Sequence, residues 1–192
     1  MRMDSMKIIL GSDHRGRRIQ DWILKHHLFQ QYEIFVINEH SSGFIDYPDI
    51  AARVAFEVGS GFYDRGILIC GTGIGMCVVA NKFPGVRAAP CHNEVAAELS
   101  RRHNDANILC LAGDLLGERS SLVIVEKWLA TPFDNGRHID RLKKIKNLEN
   151  RNYSDSATAE HSEKNSSESG ISESNISVHK KTFPASLNEI KP

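Results

Sequence analysis

The stretch GILICGTGIGMCVVANK, Gly66–Lys82, joins an apolar run to a glycine-rich turn and then to a helical pattern. An apolar run without polar alternation is how a short strand reads when both faces of a parallel sheet bury it. Gly71, Gly73 and Gly75 follow, and glycines let a backbone approach a ligand closely. A helix starting near Ile74 would turn its N–H groups and the positive end of its dipole towards Cys70, the last residue of the run. Such a loop suits an anion, either a phosphate or a developing oxyanion.

Similar units lie on both sides. KIIL (7–10), IFVI (34–37), VRAAP (86–90) and NILCL (107–111) read as further strands. Helical patterns separate them. One follows KIIL with Ile19, Trp22 and Ile23 on a face, and one opens at Pro48 with Ile50, Val54 and Val58 at four-residue steps. Others cover 92–103, 118–130 (Leu122, Val125 and Leu129 on one stripe) and about 137–150. The alternation predicts an α/β fold, a Rossmann-like three-layer sandwich around a mainly parallel sheet of about five strands. In such sheets ligands bind where strand C-termini open into loops. Ser12, Asp13 and His14, then Gly71–Gly75, then Gly113 and Asp114 should therefore share one edge.

Composition breaks near residue 150. Residues 151–192 are rich in Ser, Asn, Glu and Lys and poor in aliphatics, which predicts a disordered polar tail. Residues 1–5 read as an N-terminal extension and 6–150 as one domain. Lys+Arg and Asp+Glu both total 24, and no basic stripe marks a nucleic-acid partner. No apolar run approaches the length of a membrane span, and the N-terminus lacks the apolar core of a signal peptide. The four cysteines (Cys70, Cys77, Cys91, Cys110) form no C-x-x-C pair, so a cytoplasmic protein without disulfides or zinc is expected.

The loop excludes several chemistries. A dinucleotide fingerprint needs G-x-G-x-x-G, but position 76 is Met; no Gly-Lys-Ser/Thr follows for a P-loop. A phosphatase-type loop needs an arginine six residues after its cysteine, and Met76 is not one. Cys70 itself is open to two readings. Strand-end cysteines are commonly inert core thiols, yet one beside a helix N-terminus should have a stabilised thiolate, fit to act as nucleophile or base. Asp13 and His14 end the first strand, where capping competes with acid–base work. His103 and Asn104 close a helix, and Arg137 and Arg141, four apart, share a helix face that could clamp a phosphate. Together these imply acid–base chemistry on a small phosphorylated molecule, with no metal or cofactor.

KIILGSDHRG, DYPD, GILICGTGIGM, ANKFPGVRAA, LSRRHNDANILCL and GRHIDR, in collinear order over about residues 6–148, resemble the type B ribose-5-phosphate isomerases. That family also contains galactose-6-phosphate isomerase subunits. The resemblance implies interconversion of ribose 5-phosphate and ribulose 5-phosphate through a cis-enediolate, without metal or cofactor. It also implies a homodimer, or a dimer of dimers, whose sites are shared across the interface. By position, Cys70 is then the base that moves the proton between C1 and C2, and the amides of Gly71, Thr72, Gly73, Ile74 and Gly75 stabilise the enediolate oxygen. His103 opens the furanose ring with help from Thr72. Asp13 and Asn104 bind sugar oxygens, and Tyr47 lines the site. His14, Arg137 and Arg141 hold the phosphate, the arginines reaching in from the other subunit. Some relatives carry a glutamate base at the position of Met76, which cannot abstract a proton.

Two positions depart from the family pattern. Arg15 stands where a small or apolar residue is usual, and Asp114 where an arginine often helps to hold the phosphate. An Asp there should repel a phosphate, with Arg15 partly replacing the lost charge. Rival readings are the same chemistry on a six-carbon sugar phosphate, a non-catalytic sugar-phosphate-binding subunit, and an interaction role for the tail.

Overall fold

The computed structural model describes residues 5–37 and 46–165, with side chains to residue 151. Of the described residues, those up to Asn135 form one compact unit and those from Gly136 to Asn165 a second. The first unit alternates strand and helix: β1 (Lys7–Ser12), α1 (Arg17–Lys25), β2 (Glu33–Val36), α2 (Tyr47–Gly59), β3 (Arg65–Cys70), α3 (Ile74–Ala80), β4 (Ala88–Pro90), α4 (Glu94–Asn104), β5 (Ile108–Ala112) and α5 (Glu118–Ala130). The five strands form one sheet in the order β2-β1-β3-β5-β4, every pair parallel.

Strand side chains alternate between two cores. Ile8, Leu10, Ile67, Ile69, Leu109 and Leu111 pack on one face with Ile19 and Ile23 of α1, Ala97 of α4 and Ile124, Val125 and Trp128 of α5. Ile9, Leu68, Cys70, Ile108 and Cys110 pack on the other with Ile50, Val54 and Val58 of α2 and Met76, Cys77 and Ala80 of α3. Both faces are covered, which is why the strands read as unbroken apolar runs. Each fully buried Ile or Leu contributes about 1.5–3 kcal/mol. Exposed ion pairs contribute about 0–1 kcal/mol, so the two cores carry this fold.

The arrangement departs from the helical stripes expected above in two places. Trp22 is exposed, and α1 buries Ile19, Gln20 and Ile23 instead. On α5 the buried stripe is Ser121, Ile124, Val125 and Trp128, with Leu122 and Leu129 only partly buried beside it. The bulk of Trp128 wins the central position against the sheet.

The second unit contains α6, Arg137–Asn165. It passes the composition break near 150, so residues 151–165, expected to be disordered, are helical backbone. Helix propagation adds one hydrogen bond per residue once a nucleus exists, and the Ala, Glu and Lys of this segment are good helix formers. Residues 1–4 of the expected extension and 166–192 of the expected tail lie outside the described residues. No helix among the described residues is long and apolar enough to cross a membrane.

Candidate active site

The strand order reverses between β1 and β3. The chain leaves β1 for α1 on one face and leaves β3 for α3 on the other, so the two loops diverge and open a crevice between them. A cavity of about 650 Å3 occupies that position, lined by Asp13, His14, Arg15, Asp46, Tyr47, Cys70, Gly71, Thr72 and Gly75.

Backbone bonds tie the three strand-end loops together. The Asp13 N–H donates to Ile69 O (3.1 Å), Gly113 N–H to Cys70 O (2.7 Å) and Asp114 N–H to Gly71 O (3.0 Å). The loops after β1, β3 and β5 thus share one edge, as expected. Ser12 is not a loop residue: it ends β1, fully buried, and its Oγ donates to Gln20 Oε1 at 2.6 Å. Asp13 caps a turn rather than the helix, accepting at Oδ1 from the N–H groups of Arg15 (2.9 Å) and Gly16 (3.0 Å).

The three loop glycines have separate physical reasons. Gly73 takes φ +73°, the left-handed region that costs other residues, and a Cβ there would stand 3.0 Å from the Leu111 carbonyl. A Cβ on Gly75 would enter the Tyr47 ring at 2.7 Å, so the ring lies directly on this glycine. One on Gly71 would stand 2.7 Å from Asp114 Oδ2 and 3.1 Å from Arg15 Cζ.

Cys70 is 5% exposed and lines the cavity. Its Sγ accepts a hydrogen bond from the Gly73 N–H at 3.2 Å, while the Ile74 N–H donates to Thr72 Oγ1 at 3.3 Å. Gly71, Thr72 and Gly75 line the cavity; Gly73 and Ile74 are not among its lining. The other thiols are differently placed. Burial pushes Cys91 up to about 11 and Cys110 well above the ordinary thiol range. A hydrogen bond with Cys110 is the main influence lowering Cys77, which packs in the α2–α3 core. Met76 is fully buried in that core.

His103 and Asn104 are elsewhere. They end α4, and the turn after them leads into the start of β5, where Gly66 N–H donates to Asn107 O at 2.9 Å. Gly66 is the second residue of β3 and Cys70 its last, so the two groups stand at opposite edges of the sheet. A strand of this length separates them by roughly 17–20 Å. Neither His103 nor Asn104 is among the described residues lining the cavity. Their turn is cross-linked. Arg101, 3% exposed, donates to Asp105 Oδ1 (2.7 Å) and Ala106 O (2.6 Å). Arg87 donates to Asn104 O (2.9 Å) and Asp105 Oδ2 (2.9 Å). Arg137 and Arg141 are exposed on the first turns of α6, in the second unit.

One lining residue lies outside the candidates read from the sequence. Asp46 was not singled out; its place before the Tyr-Pro helix start, where its Oδ1 accepts from the Tyr47 N–H at 2.8 Å, was the available signal. Arg15 forms an ion pair with Asp114 over the β3 loop. Asp114 therefore does not stand at this edge as an uncompensated negative charge.

Comparison with known proteins agrees with the geometry. The family described as Ribose/Galactose Isomerase matches residues 8–145. Ribose-5-phosphate isomerase B of Escherichia coli is 40% identical over 145 residues, covering 76% of this chain and 97% of that protein. The solved ribose-5-phosphate isomerase B of Clostridium thermocellum superposes with a TM-score of 0.72 at 45% identity, over 76% of this chain and 99% of that one. The enzyme of Mycoplasma genitalium, solved with bound ribulose-5-phosphate, gives a TM-score of 0.71 at 38% identity, over 76% and 97%.

Proposed function

Because the chain belongs to the ribose/galactose isomerase family, we propose that it interconverts ribose 5-phosphate and ribulose 5-phosphate. The observation that carries this reading is Cys70, a buried thiol lining the cavity with the Gly73 N–H on its sulfur. Isomerisation needs one base to take a proton from one carbon and return it to the next, with charge stabilised on the adjacent oxygen. Cys70 is the base in this reading, since Met76 is both unable to accept a proton and sealed in the core. The amides of the Gly71–Gly75 loop stabilise the enediolate oxygen and Thr72 assists. Asp13 binds sugar hydroxyls, Tyr47 covers the bound chain and His14 faces the phosphate.

His103 and Asn104 then serve a second copy of the chain. A ring-opening acid–base pair at the far edge of the sheet cannot meet Cys70 of its own sheet, so a homodimer, alone or paired into a tetramer, completes each site. Exposed apolar side chains support an interface: Ile74 and Val78 on α3 are each 54% exposed, and Val95 on α4 is 60% exposed. In this reading Arg137 and Arg141 hold the phosphate from the partner copy. The four free thiols fit a reducing, cytoplasmic compartment.

The test is turnover of ribose 5-phosphate beside allose 6-phosphate and galactose 6-phosphate, with Cys70→Ala as control. We expect the five-carbon substrate to be preferred and the variant to lose about 10²–10⁴-fold in kcat. Preference for a six-carbon substrate, or turnover surviving in the variant, would overturn the reading.

A further inference from the structure

Arg15 is the one permanently cationic side chain among the described residues lining the cavity, against the carboxylates of Asp13 and Asp46. Its backbone is fixed on both sides. The Arg15 N–H donates to Asp13 Oδ1 at 2.9 Å, and a Cβ on Gly113 would stand 2.6 Å from the Arg15 carbonyl oxygen. Its guanidinium is fixed as well: Asp114 Oδ2 pairs with Nη2, and the group lies against the bare face of Gly71, with Cζ and Nε both 3.1 Å from where a Cβ would be. Three loops from three strands thus converge to hold one guanidinium. An ion pair this exposed, 56% for the Arg15 side chain and 33% for Asp114, does little for stability, so folding does not account for the convergence. A guanidinium has five N–H donors in a fixed fork, and a carboxylate on Nη2 leaves donors along the other edge.

We infer that Arg15, oriented by Asp114, binds the phosphate group of the substrate, with Asp114 acting as a positioning residue. The inference rests on the sugar-phosphate reading above and deepens it by naming the anion contact that this chain supplies itself. The exposed rim position, next to His14 and above the buried Cys70, fits a fully charged phosphate dianion. The enediolate oxygen forms lower down, beside the thiol. Asp114 keeps the guanidinium over Gly71, so that the fork is already aimed before substrate arrives.

The experiment measures the Kd of inorganic phosphate by calorimetry, and KM and kcat for ribose 5-phosphate, in the full chain and in Arg15→Ala, Asp114→Asn and the double variant. Melting curves verify that each is folded. Arg15→Ala should raise the phosphate Kd and KM about 10- to 100-fold, the effect of one charge-assisted hydrogen bond, with kcat within about threefold. Asp114→Asn should raise both about three- to tenfold, and the double variant should be no worse than Arg15→Ala alone, as residues acting through one contact are non-additive. An unchanged Kd in Arg15→Ala would overturn the inference, as would tighter phosphate binding in Asp114→Asn, or a fall in kcat at constant KM. Should the wild type bind phosphate through Arg15 yet fail to turn over ribose 5-phosphate, the reaction proposed above falls and this contact stands.

Discussion

The two edges of the sheet are built by opposite means. At the C-terminal edge the backbone is pared to glycine so that side chains from other loops can lie on it: Tyr47 on Gly75, Arg15 and Asp114 on Gly71. This edge is concave and holds the thiol. At the N-terminal edge the turn after α4 is drawn tight by arginines. Arg101 and Arg87 bond the carbonyls of Asn104, Asp105 and Ala106 and the Asp105 carboxylate. This edge presents His103 and Asn104 on a rigid corner. The difference teaches that this chain keeps Cys70 and His103 at opposite ends of its sheet, so under the proposed function the two meet only between copies.

The largest effect should come from breaking the two edges separately and then mixing them. Cys70→Ala and His103→Ala should each lose about 10²–10⁴-fold in turnover. When the two inactive proteins are unfolded together and refolded, about half of the dimers should be hybrids. Each hybrid contains one site with both residues intact, so about a quarter of wild-type activity should return. Assay of the mixture against each parent checks this. No recovery would mean that His103 and Cys70 work within one chain, and the comparison of edges would lose its functional meaning.

A smaller effect tests whether the glycine edge is built for close approach. Gly73→Ala must hold φ +73° with a Cβ 3.0 Å from the Leu111 carbonyl. The left-handed conformation alone costs about 1–2 kcal/mol. Urea unfolding should show at least that loss, and activity should fall further because the Gly73 N–H sits on Cys70 Sγ. Gly117, the residue that precedes α5, with φ −75° and nothing within 4 Å of its would-be Cβ, is the control. Gly117→Ala should cost less, about 0.5–1 kcal/mol for a poorer N-cap, and leave activity unchanged.

Much of this was legible from residue patterns, for identifiable reasons. β1, β3 and β5 read clearly because both faces are buried, and the loops after them could be placed at one edge because parallel strands share a direction. The setting of His103 was legible only in part. The spacing in SRRHNDAN marks a helix end before a strand, which in a parallel sheet puts it at the N-terminal edge, but the arginine clamps that fix this corner come from residues whose contacts the spacing does not show. The partner of Asp114 was hidden by sequence separation, since Arg15 reaches it through a turn that only the β1–β3–β5 pairing brings close. On α5, four-residue spacing could not tell Leu122 and Leu129 from Trp128 as the central residue, because neighbouring stripes differ by one step around the helix. Arg101 read as part of a charged helix end, although it is the buried clamp of the corner.

The smallest effect separates the cysteine proposed as the base from one that only fills space. Cys70 ends β3 and Cys91 comes just after the end of β4, so a strand-end position alone does not set a thiol's surroundings. Cys91 faces the α1–α4–α5 core, 1% exposed, with Ser100 Oγ 3.9 Å from its sulfur, and burial pushes it up to about 11 from an ordinary 9.0. Between those values the unfolded chain has released a proton that the folded chain still holds. The unfolded state then binds fewer protons, so stability falls as pH rises through that window and is unaffected by this group below it. Cys110, raised by burial in the same sense, adds to the slope. Urea midpoints measured from pH 8 to about 10.5 should therefore decline. Cys91→Ala should start lower, because it leaves a small void, and decline less steeply. An identical slope in the variant would show that the Cys91 thiol ionises as freely in the folded protein as in the unfolded chain.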